Sequence, residues 1–300
     1  MTSVSLLAVT VSVLCLVALP ELLHSTTRFD ANPRAGLVVW ITLCTVGWLS
    51  AIILFLEIGL GRFQGALLPT TISFLVRLGD GHPLRGLGLT GVVGLSVALD
   101  ITVLLAGGLV VAAWNSSRLR RQQRTVLDLV SEHADVSGIS LVDHAHPLAY
   151  YLPGGGGRVV VSTGAVNVLS KHEFDAVVSH ELGHRHGRHG ALLIPLQALS
   201  PFVSFLPLAR RAPAVMRAYL EMAADDFARE RSSNDALRGA LEKSSLFHRP
   251  PQGSFAMHDG TVDRRLRRLG GRSVPALDEA AVVLALGVSC SLFWTLLMLR

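Results

Sequence analysis

Residues 173–184 read Glu-Phe-Asp-Ala-Val-Val-Ser-His-Glu-Leu-Gly-His, and the last five of them form the pattern H-E-x-x-H. Phe174, Val177, Val178 and Leu182 recur at three- and four-residue steps, so the stretch predicts a helix. Residues four apart share one helical face, which lets the imidazoles of His180 and His184 converge on a single ion. The ion that this pattern suits is Zn2+, and Glu181 between the two ligands is placed to take a proton from its water.

A peptidase zinc needs a third protein ligand. The candidate is Glu221, in a stretch rich in Ala and Met (residues 217–226, RAYLEMAADD) that contains neither Gly nor Pro and predicts a second helix. Asp225 follows Glu221 by one turn on the same face. It is the candidate acceptor for the free ring nitrogen of a ligating histidine. A solvated acidic face is the competing explanation for this pair, and the upstream histidines tip the balance against it. His186 and His189 lie beyond the turn that faces the ion, so they are expected at the surface or supporting a ligand. His172, His248 and His258 have no partner that the sequence reveals.

Half of the 300 residues are apolar, 16% are charged and the mean hydropathy is +0.46, which an ordinary soluble domain of this length does not show. Residues 4–23, 37–60 and 87–114 each exceed the roughly 20 residues that a helix needs to cross hydrocarbon, and a fourth such run covers 280–299. Met1 to Ser5 carry no Lys or Arg, which argues against a cleaved signal. Glu57 and Asp100 lie inside these runs, where an acid is costly and is expected to face the bundle interior. Cys15, Cys44 and Cys290 all sit in apolar runs without ligand spacing, so neither a disulfide framework nor a thiolate site is indicated.

The arginines are clustered. Arg118, Arg120, Arg121 and Arg124 follow the third run, and Arg264, Arg265, Arg267, Arg268 and Arg272 precede the fourth. Read by the positive-inside rule, both flanks of the central segment are cytoplasmic and the N-terminus is outside, and lipid rather than nucleic acid is the partner of this charge. Arg28 and Arg34 on one side are matched by Arg62, Arg77 and Arg85 on the other, so the short loops do not discriminate.

The central segment opens with a polar helix at 118–134, with an apolar stripe of Leu119, Val126, Leu127 and Val130. Strands are predicted near residues 139–142 and 158–162, and Pro153 to Gly157 reads as the tip of a hairpin entered through residues 148–152. No Gly-Lys-Ser/Thr follows the four glycines, so a phosphate loop is not indicated. The strand at residues 159–162 is either a core strand or an edge for an extended peptide. The apolar run 191–208 contains Pro195, Pro201 and Pro207, and a crossing there would part His184 from Glu221. It is expected to dip into the membrane or lie at its interface.

Together, His180-Glu181-x-x-His184 and Glu221-x-x-Ala224-Asp225 resemble the membrane gluzincins, namely the HtpX and CAAX-endopeptidase group and the BlaR/MecR group of beta-lactam sensor-transducers. Residues 158–164 (RVVVSTG) and Glu173 also resemble the strand and helix ahead of the zinc helix in those families. The layout resembles BlaR/MecR, with three spans, a cytoplasmic zinc domain and one further span. That resemblance implies cleavage of a cytoplasmic target such as a BlaI/MecI-type repressor. The chain ends at Arg300 after the last run, so the extracellular penicillin-binding sensor of that group is not expected.

The expected protein is therefore mainly α: polytopic membrane helices plus a cytoplasmic α+β gluzincin domain with a small β-sheet. The expected boundaries are a membrane domain at 1–117, a zinc peptidase domain at 118–275 and a last span at 276–300. Its expected place is a bacterial-type cell membrane, multi-pass, with the zinc domain inside. The expected partners are a protein or peptide substrate, for example a transcriptional repressor, and the lipid bilayer, with no direct nucleic acid. An HtpX-like quality-control protease and a non-proteolytic zinc-containing receptor or scaffold are the alternatives.

Overall fold

The computed structural model describes residues 3–61, 63, 67–80, 86–130, 138–154, 157–199, 203–243 and 261–270. The fourth apolar run, Cys290, Arg62, Arg85, Arg272, Pro201, His248 and His258 lie outside them. The chain is mostly helical, as expected, with one small sheet. It begins with α1 (Ser3–Val13), a π-helical turn (Leu14–Ala18) and α2 (Leu19–Leu23), which run on as one rod, followed by α3 (Pro33–Leu60), α4 (Leu67–Gly79) and α5 (Leu89–Val130). Strands β1 (Ile139–Val142), β2 (Ala149–Leu152) and β3 (Arg158–Ser162) come next. The chain then forms α6 (Thr163–Val168), α7 (Lys171–His186), α8 (His189–Leu199), α9 (Pro207–Arg229), α10 (Asn234–Glu242) and α11 (Val262–Leu269).

Among the described residues, three segments are long and apolar enough to cross a membrane: Val4–Leu23, Pro33–Leu60 and Leu89–Asp128. Their outward faces are bare, with Leu99, Val103 and Val110 of α5 all more than half exposed, which suits lipid rather than water. Small residues form the seam between α3 and α5: a Cβ on Gly94 would come within 2.6 Å of the Gly59 backbone nitrogen. Glu57 is buried in the bundle. Asp100 is not, contrary to expectation. Ala98 is buried on α5, and a residue two positions further falls on the opposite, exposed side.

The polar helix expected at 118–134 is not a separate element. It continues α5, whose 42 residues span roughly 63 Å, about twice the hydrocarbon thickness. Ser116 and Ser117 could have capped a new helix, but their hydroxyls accept hydrogen bonds from Arg120 at 2.8 and 3.2 Å instead. Of the expected apolar stripe, Leu127 is buried against Tyr150, Leu152 and Val160 of the sheet, whereas Val126 is exposed. The end of α5 thus packs against the sheet.

The sheet has the order β1-β3-β2, with β1 parallel and β2 antiparallel to β3. The hairpin tip falls where the glycines are, and Gly154 and Gly157 adopt φ of 105° and 68°, which L side chains resist. Because β3 is the central strand, residues 159–162 offer no edge to a peptide, and the core-strand alternative holds. Of the run 191–208, residues 191–199 lie in α8, whose 11 residues rise about 16 Å, too little to cross, and residues 203–206 form a turn ahead of α9.

The apolar N-terminal helices and the C-terminal half pack as one core. Trp40, Leu37 and Leu43 of α3 share a buried cluster with Met216, Tyr219, Leu220 and Met222 of α9. The connection between the first two spans is tied to the same side: Arg264 binds Asp30, Phe29 stacks edge-on to Tyr219 at 6.2 Å, and Arg210 and Arg211 grip Glu21. Gly36 lies flat against Tyr219, where an added Cβ would come 2.8 Å from its ring. Gly36→Val is expected to pry α3 from α9 at a cost of about 1–3 kcal/mol, read as a lower melting temperature of the full chain in detergent. An unchanged melting temperature would contradict this packing.

Candidate metallopeptidase site

Helix α7 starts with a capping box in which Ser170 and Glu173 bond reciprocally, at 3.4 Å to the Glu173 N–H and 2.7 Å from the Ser170 N–H. Lys243 Nζ also donates to Glu173 at 2.7 Å, so the residue that resembles the family pattern fixes where the helix begins. Three turns later His180, Glu181 and His184 are buried, and Gly183 lets the helix approach α9, since a Cβ there would be 3.0 Å from the Ala224 backbone. Glu221 and Asp225 project from α9 towards the same point, both buried.

The geometry is that of a three-donor site. His180 Nε2 and His184 Nε2 are 3.2 Å apart, Glu221 Oε2 is 3.3 Å from the first, and Glu221 Oε1 is 3.5 Å from the second. Ligands held at about 2.0–2.1 Å in a tetrahedron are roughly 3.3–3.4 Å apart, close to the separations here, although the two imidazoles meet different oxygens of Glu221, and one donor atom from each residue lies within 4.8 Å of the others. Among the described residues this is the one group of three with metal-binding potential. Glu221 Oε1 and Glu181 Oε1 are buried with no hydrogen-bond partner, which a bound cation and its water would remedy. The charge balance agrees. Glu181, Glu221 and Asp225 carry three negative charges when ionised against one positive charge on Arg265, and a dication brings the cluster to neutrality.

Behind the ligands lies a second set of contacts. His180 Nδ1 donates to Asp225 Oδ1 at 2.9 Å, the link expected from the spacing of Glu221 and Asp225. Arg265, wholly buried on α11, donates to both Asp225 oxygens at 2.7 and 2.6 Å and to Glu221 Oε2 at 3.1 Å. His189 reaches back to His184, Nδ1 to Nδ1 at 2.8 Å, and so supports a ligand as expected rather than adding a fourth. His186 stacks on Phe227 outside the site. Glu181 Oε2 accepts the backbone N–H of Tyr151 at 2.8 Å, which clamps the carboxylate to β2.

Arg265 and the Tyr151 N–H are the contributors that sequence reasoning misses. A backbone group leaves no signature in sequence. Arg265 has one, a lone turn of charge at residues 262–269, but in sequence it reads as part of a membrane flank. That flank is a correction: Arg264, Arg265 and Arg268 are engaged by Asp30, Asp225 and Asp226, because paired burial is worth more to them than solvation. Their weight in the orientation argument goes with them.

Burial shapes the protonation of the cluster. It works against charge on His180, but hydrogen bonds to Asp225 and Glu221 outweigh it and lift the imidazole to about 9. Burial raises Glu181 to about 8, and it holds His189 down at about 4. For Glu221 the histidines and Arg265 overcome burial and bring the carboxyl to about 2. Arg265 does the same for Asp225, far below the usual range.

This arrangement defines a metallopeptidase type of site. Residues 113–232, which hold the sheet, His180, Glu181, His184 and Glu221, match Peptidase family M48, a family of metallopeptidases that typically use zinc. With three apolar helices, the match supports a membrane-associated metallopeptidase. No curated protein and no solved structure matches the chain significantly.

Two outcomes are expected from the buried charges. Below about pH 8 both His180 and Glu181 hold protons in the metal-free site, so zinc uptake at pH 7 is expected to release about one to two protons, fewer as the pH rises through about 9. Calorimetry in buffers of different ionisation enthalpy measures this, and proton-neutral uptake at pH 7 would be inconsistent with it. Arg265→Ala strands two buried carboxylates and is expected to cost about 3–5 kcal/mol, read by thermal melting, whereas Arg267→Ala at an exposed position of the same helix leaves melting unchanged.

Proposed function

We propose that the chain is a membrane-embedded zinc endopeptidase that cuts a juxtamembrane or cytoplasmic protein. The observation that carries this is the 3.2–3.5 Å donor triangle of His180, His184 and Glu221 with the orphaned Oε1 of Glu181 beside it. In this reading His180, His184 and Glu221 hold the ion, Asp225 orients His180, and Glu181 is the catalytic base. Zinc, when bound, would polarise the scissile carbonyl and acidify water. Glu181 takes the proton of the attacking water on Oε1 and returns it to the leaving amine, while the Tyr151 N–H keeps Oε2 from turning away.

The alternative of a structural zinc in a receptor or scaffold needs a closed, four-ligand site. His189 faces the Nδ1 side of His184, away from the donor triangle, and no other described histidine, cysteine or carboxylate joins the group. That favours an open position for substrate.

The packing of α3 on α9 supports a substrate presented at the bilayer surface, since Glu221 lies one turn from residues in contact with the second span. The peptidase domain is proposed to extend over 118–275, with α5 shared between it and the membrane part. The layout of three spans ahead of it supports the BlaR/MecR-type assignment, a repressor-like cytoplasmic target and a cytoplasmic zinc domain in a bacterial-type membrane. An HtpX-like role in quality control shares the same site.

Glu181→Gln in the purified full chain is expected to keep one zinc per chain and to lose cleavage by roughly 10²–10⁴-fold. The trapped substrate that copurifies with it identifies the target. Full activity of that variant would sink the proposed mechanism.

A further inference from the structure

A slot of about 280 Å³ opens between α3 and the C-terminal end of α7, next to the metal ligands but not among them. Leu37, Val38 and Ile41 of α3 form one wall, and Leu192 of α8 and Phe227 of α9 form the other. Arg34 stands at one end, a turn nearer the start of α3 than Val38. The size is at the low end of ligand pockets, which run roughly from 300 to 1,000 Å³.

Where the slot opens decides what it can take. Val38 and Ile41 are 42% and 38% exposed, yet they belong to a span of mean hydropathy 2.3, so their open face meets hydrocarbon rather than water. Arg34 is the second residue of that span and is exposed, which suits a guanidinium at the level of the headgroups. It forms no ion pair with another described residue. An apolar trough open to acyl chains, with an unpaired interfacial cation at its end, has the two halves of a lipid's chemistry in the right order. A soluble anion would find one arginine and no enclosure. A peptide strand would find hardly any backbone partners, because the walls are side chains of helices.

We propose that this slot binds a glycerophospholipid with an anionic headgroup, the phosphate at Arg34 and an acyl chain along Leu37, Val38 and Ile41. His189 also lines the slot and meets His184 at 2.8 Å, so a lipid bound there lies behind His184 without entering the donor group. This inference rests on the membrane reading and not on proteolysis, so its test needs no substrate.

The test is native mass spectrometry of the delipidated full chain in detergent, offered dioleoylphosphatidylglycerol or dioleoylphosphatidylcholine at equal concentration. One phosphatidylglycerol is expected to be retained, with a preference over phosphatidylcholine of about fivefold for one interfacial arginine. Arg34→Gln is expected to abolish the preference and Arg34→Lys to keep it. Val38→Trp, which fills the mouth, is expected to lower retention of both lipids, and an excess of inorganic phosphate to leave the bound lipid in place. Zinc content and melting temperature, measured on each variant, show that it is folded. Equal retention of the two lipids by the unaltered chain would overturn the proposal, as would retention unaffected by Arg34→Gln and Val38→Trp in folded protein, or release by phosphate alone.

Discussion

Asp225 and Arg265 face each other in a place without water, 2.6–2.7 Å apart through two hydrogen bonds, and neither could remain charged there without the other. From that pair the rest of the site takes its orientation. Asp225 accepts the Nδ1 proton of His180 and so leaves Nε2 to face His184 and Glu221, while the other arm of Arg265 steadies Glu221. Three helices, α7, α9 and α11, are pinned together at one point, and the donor triangle is the consequence. A metal site assembled from two helices alone would leave the α9 carboxylates free to turn apart under their mutual repulsion or towards solvent.

The same constraint reaches the membrane part. α9 carries Glu221 and Asp225 on one face and Met216, Tyr219 and Leu220 among the side chains packed on α3, so Glu221 and the second apolar helix share a rigid element. Arg264, adjacent to Arg265, binds Asp30 in the connection between the first two spans. Neighbouring residues on one short helix thus anchor to the metal site and to the membrane bundle. The two halves are accordingly joined by contact at two places, Leu127 of α5 against the sheet and α9 against α3.

Much of the chemistry was legible because helical spacing is a rigid rule. His180 and His184 four apart, and Glu221 and Asp225 four apart, must each share a face, and the structure brings the two faces together. Gly154 and Gly157 were legible for a similar reason, since positive φ is cheap only for glycine. The extent of α5 was not. Its sequence changes from apolar to basic near residue 115, and a change of solvent along one helix looks the same as a change of element. The role of residues 159–162 was hidden because a central strand and an edge strand can have the same apolar run, and only the order of pairing separates them.

By itself the sequence determined which residues can hold a metal, which one can move a proton and which segments can cross a bilayer, because those properties follow from residue type and from the 3.6-residue period. Only the tertiary structure decided what stands behind the ligands. That Arg265 neutralises Asp225, that His189 supports His184 and that the Tyr151 N–H holds Glu181 are contacts across 40, 5 and 30 residues. Arginine in particular carries no sign in sequence of whether it meets a lipid headgroup or a buried carboxylate: both are anionic oxygen, and only the fold determines which lies within its reach.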